Sequence, residues 1–483
     1  MAPALVVLIP FAGALAIALA AGRPRLRDAL CWIFPVPFFA GVLTQIPPVL
    51  AGNGAEQVLL TLMPGLEIGF SVRPLGLLFA LLSSSLWVLA TPYALGYMKA
   101  GGYAHLTRFM SLYAVALGAA AGIAFADNLL TLYLFYEILS VSTYPLVAHT
   151  GTDKARRGAR TYIALLLLTS IGLMLPAIVW TWHATGTLAF TEGGILAGHV
   201  GPGAGAVLLV LFMFGAGKAA VMPLHRWLPA AMVAPTPVSA LLHAVAVVKA
   251  GVFVVLTIAV YVFGLDYLAE IVTRQVVLYF AVFTMLVASL VAIYQDELKA
   301  RLAYSTVSQL AYIVTGALLA SEWAAIGGGM HMLMHGYGKI TLFFCAGAIY
   351  VASKKTHVSQ LNGLGRQMPF TMLAFLFGAL CVIGLPPSGG VWSKWALILG
   401  SYDAGAYVVV GAFLLSTLLN IGYLLPPVIR AFLLPPPAGA AVAGRREAPL
   451  LCLVPLCLTA AGSAALLFGA GPAFELLALM FAS

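Results

Sequence analysis

The chain has 483 residues, of which 62% are hydrophobic and only 8% are charged, whereas a soluble globular protein carries about a quarter charged residues. This composition excludes a soluble enzyme or a soluble binding domain and indicates an integral membrane protein. The net charge of +9 comes from the loops between apolar segments, so it gives no reason to expect a nucleic-acid partner.

Apolar runs of about twenty residues, the length that a helix needs to cross the hydrocarbon core, recur along the whole chain. The first run has no basic residue before Arg23, so we expect it to stay in the membrane and not to be cleaved as a signal peptide. No soluble domain remains between the runs. We predict an all-α polytopic membrane protein with about fourteen transmembrane helices, at residues 4–21, 29–51, 73–98, 110–126, 128–149, 161–183, 205–224, 236–264, 275–294, 301–320, 326–352, 369–401, 405–432 and 449–480.

Lysine and arginine follow the parity of the loops between these runs. Loops after odd-numbered runs carry 18 of the 24 Lys and Arg residues, and loops after even-numbered runs carry only Arg73 and Arg274. Because short cytoplasmic loops are enriched in basic residues, we expect a multi-pass protein of a bacterial-type inner membrane with both termini outside the cytoplasm. The remaining basic residues lie inside predicted helices: Lys218, Lys249, Lys339 and Lys394.

One carboxylate, Glu137, also lies near the middle of a predicted helix. A charged side chain at the centre of a transmembrane helix costs about 2.5–3.5 kcal/mol on insertion scales, so these charges should face one another, water or the protein interior. Glu137 has two interpretations. It forms a structural ion pair that joins two helices, or it adjusts the proton affinity of a neighbouring lysine.

The seventh predicted helix contains Lys218 and, five residues later, Pro223, which removes a main-chain hydrogen bond. We predict that the helix breaks there and that the freed carbonyl groups hold water, because a broken helix at membrane depth is tolerated only against protein or an aqueous cavity. His225 follows Lys218 by seven residues and would lie close to the same face of an unbroken helix.

The eighth predicted helix contains His243 and Lys249, which are six residues apart. On an ideal helix these side chains point about 120° apart. They belong to one track only if this helix is distorted.

The eleventh predicted helix contains "HMLMHGYGKI", with His331, His335 and Lys339 at four-residue intervals. On a helix the three side chains fall within about 80° of arc and form one polar stripe. Three titratable groups on one face favour a functional role over a satisfied core histidine. Zinc binding is a competing interpretation, because two histidines four residues apart have metal-ligand spacing, but this helix offers no nearby carboxylate or thiolate, so we predict no metal site.

The twelfth predicted helix is interrupted by Pro386 and Pro387 before Lys394. Lys218 and Lys394 are 176 residues apart, and each lies near a predicted break. Paired interruptions are typical of transporters that are built from internal repeats and work at mid-membrane. A buried lysine loses its proton more easily than one in water, and histidine relays protons near neutral pH. We therefore interpret these residues as a proton-transfer chain.

Cofactor motifs are not evident in the sequence. The cysteines form no CxxC pair, so they indicate neither an iron–sulfur site nor a disulfide framework. The Gly-rich "GPGAGAV" at 201–207 misses the dinucleotide-binding spacing, and we predict no cofactor. The cysteines are Cys31, Cys345, Cys381, Cys452 and Cys457.

Four segments together resemble the antiporter-like proton-translocating subunits that are shared by respiratory complex I, membrane-bound hydrogenases and Mrp-type cation/proton antiporters. They are "FYEILSVSTYPLV", "GKAAVMPLHRWLPAAMVAPTPVSALLHAVAVVKAG", "HGYGKITLFFCAGAI" and "GLPPSGGVWSKW". The resemblance implies fourteen helices in two inverted five-helix repeats, with the seventh and twelfth helices broken. It divides the chain into helices 1–3 (1–109), a first repeat (110–264), a second repeat (265–433) and helix 14 (434–483).

The resemblance also implies roles for the buried residues. Glu137 and Lys218 would form a Glu–Lys pair, Lys249 and Lys339 a central relay assisted by the histidines, and Lys394 the terminal exchange site. Proton transfer would begin when a neighbouring subunit weakens the Glu–Lys pair. The histidines expected to assist are His225, His243, His331 and His335.

The sequence is most similar to the D-type subunit of Mrp antiporters, since the chain ends soon after its fourteenth run and shows no long lateral helix. We expect it to act with other membrane subunits, including homologous ones, in a monovalent cation (Na+)/proton antiporter. The alternative is a pumping subunit of an NADH–quinone oxidoreductase or membrane-bound hydrogenase, with the redox chemistry in partner subunits. A third hypothesis is an autonomous solute carrier, which would be expected to have a central specificity site.

Overall fold

The N-terminal part of the molecule packs short helices against one long helix. A computed structural model describes residues 1–436 and 444–482 of the chain. Every helix in this part has proline in its first turn, where the missing N–H would have no intrahelical partner. The elements are α1 (Pro3–Leu19), α2 (Pro24–Ile33), α3 (Pro35–Leu43), α4 (Ile46–Leu50), strands β1 (Glu56–Met63) and β2 (Leu66–Ser71), and α5 (Pro74–Ala100).

The next part contains both full-length and interrupted helices. Asn128 and Thr152 accept hydrogen bonds from backbone N–H groups three residues later and so cap two of the helices. The elements are α6 (Leu106–Ala124), α7 (Leu129–Val147), α8 (Asp153–Thr169), α9 (Leu175–Thr185), α10 (Pro202–Gly215), α11 (Trp227–Ala230), α12 (Thr236–Ala240) and α13 (Val247–Thr257).

The last part again alternates long helices with short ones. The predicted C-terminal unit, 434–483, includes residues 437–443 and 483, which lie outside the described residues. The elements are α14 (Leu265–Glu270), α15 (Thr273–Tyr294), α16 (Leu298–Leu318), α17 (Glu322–Ser353), α18 (Leu364–Gln367), α19 (Pro369–Ile383), α20 (Gly390–Asp403), α21 (Tyr407–Leu424), α22 (Pro426–Leu433), α23 (Leu450–Ala465) and α24 (Ala470–Ala478).

The polytopic helical membrane architecture is confirmed, because each of the predicted apolar runs coincides with a helical segment. Within the described residues, nine helices are long and apolar enough to cross a membrane. A tenth is counted if α23 and α24, which are bent by 67° relative to each other, form one span. The count of fourteen stays a prediction.

A small β-hairpin adds to the predicted all-α fold. Strands β1 and β2 pair antiparallel, with Glu56 opposite Ser71. The turn contains Pro64 and Gly65, and Gly65 has a φ of 75°, a left-handed conformation that glycine adopts without strain. The hairpin lies between the second and third predicted helices and does not change the spans.

The centre of the fold is formed by α17 and by the segment that contains α12 and α13. Both are almost entirely buried, and α17 packs against α5, α16, α19, α20 and α23. Helices at the periphery expose large apolar side chains, such as Leu168 at 64% and Leu418 at 64%, as expected of a surface that faces lipid. The buried titratable residues therefore lie at the core of the protein.

The seventh predicted helix is broken, as expected, but earlier than Pro223. Helix α10 ends at Gly215, and Lys218 lies in the 3₁₀ turn that follows. Helix α13 approaches this turn closely, because a Cβ atom on Gly251 would lie 2.3 Å from the carbonyl carbon of Lys218. The small residue at 251 thus allows a central helix to contact the broken backbone.

The twelfth predicted helix is also broken. Helix α19 ends at Ile383, Gly384 is left-handed with a φ of 85°, and α20 begins at Gly390. A Cβ atom on Gly390 would lie 1.9 Å from the carbonyl oxygen of Cys381, so the two half-helices meet through glycine. Lys394 lies one turn into α20.

The helix that carries His243 and Lys249 is distorted between the two residues. Residues Leu241–Val245 form a π-helical turn, and α13 begins at Val247. Such turns change the rotation of the following residues. The distortion is the condition under which the sequence predicted that His243 and Lys249 could share one track.

Candidate functional site

Lys218 is held at the first break by groups of helix α7. Its Nζ donates to the carbonyl oxygen of Tyr136 at 2.9 Å and to Ser140 Oγ at 2.7 Å. The Nζ also lies 3.1 Å from the centroid of the Tyr136 ring, within range of a cation–π interaction. The side chain is fully buried, so all of its polar contacts come from the protein.

Glu137 does not form the predicted contact with Lys218. In the described part of the chain, the ion pairs within 4.0 Å are those of Asp28 with Arg27 and with Lys99. Both carboxylate oxygens of Glu137 are buried there without a hydrogen-bond partner. Glu137 is adjacent to Tyr136, whose carbonyl binds Lys218, so its charge acts on Lys218 at longer range.

Lys249 and His335 are brought together from α13 and α17. Lys249 Nζ lies within hydrogen-bond distance of His335 Nδ1, at 2.5 Å, and both side chains are fully buried. His243 is also fully buried, but in the described structure neither of its ring nitrogens has a hydrogen-bond partner. Its ring lies 4.7 Å from that of Phe343, between centroids.

His331 and His335 stack with a centroid distance of 5.8 Å and nearly parallel rings, as the predicted stripe requires. His331 Nδ1 lies 3.0 Å from Ser393 Oγ, and His331 Nε2 lies 3.1 Å from Gln309 Oε1. The nitrogens of the two histidines thus face different partners and do not converge on one point, as two metal ligands would.

Lys339, the third member of the stripe, turns towards α16. Its Nζ donates to the carbonyl oxygen of Leu302 at 3.1 Å and to Ser305 Oγ at 2.6 Å. Ser305 Oγ in turn lies 3.1 Å from the hydroxyl of Tyr423 on α21. The stripe therefore has hydrogen-bonded connections on both sides of α17.

Lys394 lies where α16, α20 and α21 meet. Its Nζ lies 3.4 Å from the hydroxyl of Tyr312 and 3.2 Å from Thr417 Oγ1. With the amide of Asn420 oriented so that its oxygen faces the lysine, this oxygen lies 2.9 Å from Nζ. Lys394 is 5% exposed, so it is as well enclosed as Lys218.

The two breaks repeat one local arrangement. Lys394 Nζ lies 4.6 Å from the centroid of the Tyr312 ring, as Lys218 Nζ lies over that of Tyr136. The two tyrosines are 176 residues apart, as are the two lysines. In the second arrangement Ile313 stands where the first has Glu137. This correspondence is the kind of internal similarity that repeated transporter halves show.

The lysines and histidines are not joined throughout. Direct or relayed hydrogen bonds extend from Lys249 to Lys394, whereas the described residues provide no hydrogen bond between Lys218 and Lys249. His225 lies beyond the first break on a separate 3₁₀ turn and contacts the ring of Tyr304 at 6.3 Å. The break removes the shared helix face that suggested a link between His225 and Lys218.

Several polar partners were missed by the sequence reasoning. Gln309, Asn420 and Tyr423 are buried in apolar helices and contact the predicted residues. The available signal was that a side-chain amide inside a transmembrane helix is costly unless it is hydrogen-bonded. Attention to charged and imidazole groups alone overlooked these amides.

Two cavities open near the opposite ends of the helices. One, of about 200 Å³, is lined by Tyr97, Thr236 and Lys299 among others, and it lies beside loops that we predict to be cytoplasmic. The other, of about 540 Å³, is lined by Glu56, Arg73 and Glu192 among others. It lies beside loops predicted to be on the other side of the membrane.

Comparison with protein families identifies similar sequences. The family model described as NADH:quinone oxidoreductase/Mrp antiporter, transmembrane, matches residues 126–420. NADH-quinone oxidoreductase subunit N of Desulforudis audaxviator is 31% identical over 491 residues, which cover 95% of this chain and 94% of that protein. NAD(P)H-quinone oxidoreductase chain 5 of Synechocystis sp. is 32% identical over 68% of this chain. This chain spans about half, 49%, of the length of that relative.

A protein of Rhizobium meliloti described as a probable K(+)/H(+) antiporter subunit is 31% identical over 80% of this chain and 38% of its own length. Among solved structures, a chain of the Mrp complex from Dietzia sp. has a TM-score of 0.88 with 23% identity. A chain of the membrane-bound sulfane sulfur reductase, an archaeal respiratory membrane complex, has a TM-score of 0.87 with 24% identity. Each alignment covers 99% of this chain and 96% of the other, and the fold is shared throughout.

Proposed function

This chain belongs to the NADH:quinone oxidoreductase/Mrp antiporter transmembrane family, and from this premise we propose that it moves protons through the membrane as one subunit of a multisubunit complex. The observation that carries the proposal is the buried set of contacts from Lys249 through His335, His331 and two amides to Lys394. Groups that exchange protons near neutral pH are costly in a membrane core and are retained where they are used.

The proposed transfer has three stages. Lys218 takes up or releases a proton at the first break, under the influence of the nearby charge of Glu137. The proton is exchanged with Lys249 and Lys339, with the help of His243, His331 and His335. Lys394 then exchanges it at the second break. His225 would assist at the mouth of the first break.

The two breaks favour a division into two inverted five-helix repeats, residues 110–264 and 265–433, flanked by residues 1–109 and 434–483. The recurrence of a lysine over a tyrosine ring at the same spacing supports this division. We propose that both termini lie outside the cytoplasm in a bacterial-type inner membrane, following the distribution of basic residues.

The proposed parent complex is an Mrp-type monovalent cation (Na+)/proton antiporter with homologous membrane subunits as partners. The Rhizobium relative that is named an antiporter and the fold of the Dietzia Mrp chain support it. The second candidate is a proton-pumping subunit of an NADH–quinone oxidoreductase or hydrogenase-type complex. The near full-length match to subunit N favours this candidate.

The two candidates are distinguished by purifying the complex from its native membrane and reconstituting it in liposomes. An antiporter is expected to change the lumenal pH when a Na+ gradient is imposed, and to carry no flavin or iron–sulfur absorbance. A redox complex would bring soluble subunits with these chromophores, and its pH change would require an electron donor. If neither condition produced a pH change, the proposal of proton transport would be contradicted.

Ser140 offers a graded test of the first stage. Replacing Ser140 with alanine removes the 2.7 Å contact to Lys218 Nζ. We expect the transport rate to fall about tenfold, because a hydrogen bond to a charged group contributes about 1.5–3 kcal/mol. Ser142→Ala is the matched control, because this buried serine on the same helix bonds only the carbonyl of Leu139. Equal rates in the two variants would argue against a role for the Ser140 contact.

A further inference from the structure

Two side-chain amides connect His331 to Lys394. Gln309 Oε1 lies 3.1 Å from His331 Nε2, and Gln309 Nε2 lies 3.0 Å from the amide oxygen of Asn420. That oxygen is also 2.9 Å from Lys394 Nζ. Gln309 and Asn420 are both fully buried, so their hydrogen bonds are made with a fixed set of neighbours.

The charge of Lys394 determines how these amides are oriented. A protonated lysine has only donors to offer, so the oxygen of Asn420 must face it. The Asn420 nitrogen then faces Tyr423 Oη at 2.5 Å and the carbonyl oxygen of Ser416 at 3.0 Å, and both can accept. The carbonyl of Ser416 therefore stabilises the orientation that suits the charged lysine.

This orientation extends to His331. Because the oxygen of Asn420 accepts, Gln309 must present its nitrogen to Asn420 and its oxygen to His331. The oxygen of Gln309 can only accept, so His331 Nε2 carries a proton. In neutral His331, Nδ1 is then the acceptor, and it faces Ser393 Oγ.

A neutral Lys394 allows the opposite arrangement, because its nitrogen can then accept a hydrogen bond. Asn420 would present its nitrogen to Lys394 and its oxygen to Tyr423, whose hydroxyl can donate to it at the same 2.5 Å separation. Gln309 would rotate with it and present its nitrogen to His331 Nε2, which must then be the unprotonated nitrogen. The rotation gives up the bond to the carbonyl of Ser416.

We propose that Asn420 and Gln309 form a two-state amide switch that links the charge of Lys394 to the position of the proton on His331. The proposal rests on the proposed function, in which Lys394 gains and loses a proton. A neutral amide does not itself take up a proton in this range. The pair therefore transmits the state of Lys394 without providing a direct path for proton leakage between the two residues.

The same switch reaches Lys339. The hydroxyl of Tyr423 lies between Asn420 and Ser305, and Ser305 Oγ accepts from Lys339 Nζ. When Asn420 rotates, the hydroxyl of Tyr423 must change from acceptor to donor at Asn420. Both central branches are thus set by one amide, which meets the requirement that coupling needs an element with two discrete arrangements.

The test reads the protonated nitrogen of His331 by ¹⁵N NMR of the histidine-labelled, assembled complex. His331 is assigned by the loss of its signals in a His331→Gln variant. In the wild type near neutral pH, we expect the proton on Nε2. In a Lys394→Glu variant, the ionised carboxylate only accepts, so Asn420 must rotate and the proton is expected on Nδ1.

The control repeats the comparison in a background that lacks the switch. With Asn420→Leu or Gln309→Leu present, Lys394→Glu should no longer move the proton on His331. With Thr417→Val, which removes a different contact of Lys394, it should still do so. The proposal is overturned if Lys394→Glu leaves the proton on Nε2, or if it moves the proton equally in the amide-free backgrounds, as a through-space charge effect would.

Transport provides a separate readout. Asn420→Leu is expected to slow coupled transport about tenfold through the loss of its hydrogen bonds. The NMR comparison needs no transport, so failure of the proposed function would show as absent transport in the wild type, whatever the state of His331. Failure of the switch would show as normal transport with an unresponsive His331.

Discussion

Replacing Lys218 with methionine is expected to abolish proton transport while the complex still assembles. Lys218 is the titratable residue of the first break, and its Nζ is held by the carbonyl of Tyr136 and by Ser140. Methionine fills a similar volume without a charge, and replacing a buried charge by an apolar group is often tolerated structurally. We expect the rate to fall at least about 100-fold, the lower end of what a positioned proton-transfer group contributes.

The measurement is the initial rate of pH change in liposomes that contain equal amounts of assembled complex. Lys99→Met is the control, because Lys99 is 51% exposed and pairs with Asp28 at the surface. The control should transport at the wild-type rate. A Lys218→Met complex that transports as fast as this control would remove Lys218 from the proposed path.

Replacing Lys394 with methionine is expected to block transport at the second break to a similar extent. Lys394 is enclosed by Tyr312, Thr417 and Asn420, and the described structure places no other lysine at these groups. Without its amine, the protons held by the central residues have no exchange partner at this end. We expect at least about a 100-fold loss of rate.

Lys354→Met is the matched control for this variant. Lys354 Nζ also lies over a tyrosine ring, that of Tyr350 at 5.0 Å, but it is exposed at the end of α17. Loss of transport in both variants would indicate a general effect of removing a lysine from a tyrosine ring. Loss in Lys394→Met alone would assign the effect to the buried position.

Much of the fold was predictable because membrane helices satisfy their own backbone hydrogen bonds. An apolar run of sufficient length is therefore helical wherever it packs, and every predicted run lies on a helical segment. The hairpin at 56–71 was missed, because it lies between runs and depends on the local turn at Pro64 and Gly65. The first break was placed too late, since proline was weighed above the glycines at 215 and 217.

The site was predictable where it depends on one helix and not where it depends on several. His331 and His335 stack because four-residue spacing fixes their relative position on α17. The contact of Lys249 with His335 joins two helices, and the sequence indicated only that both residues are buried. The amides of Gln309 and Asn420 lie on α16 and α21, and single-sequence periodicity contains no information about which helices are neighbours.

The central claim is that Lys218 and Lys394 act on one continuous route, and the most direct test is proton flux per assembled complex in liposomes. The flux would be compared for the wild type, Lys218→Met, Lys394→Met and the double variant, because residues that act as one unit are not additive. The account predicts that each single variant already falls to the level of the double variant. If each single variant kept a substantial part of the wild-type flux and only the double variant lost it, the lysines would serve separate routes and the account would be contradicted.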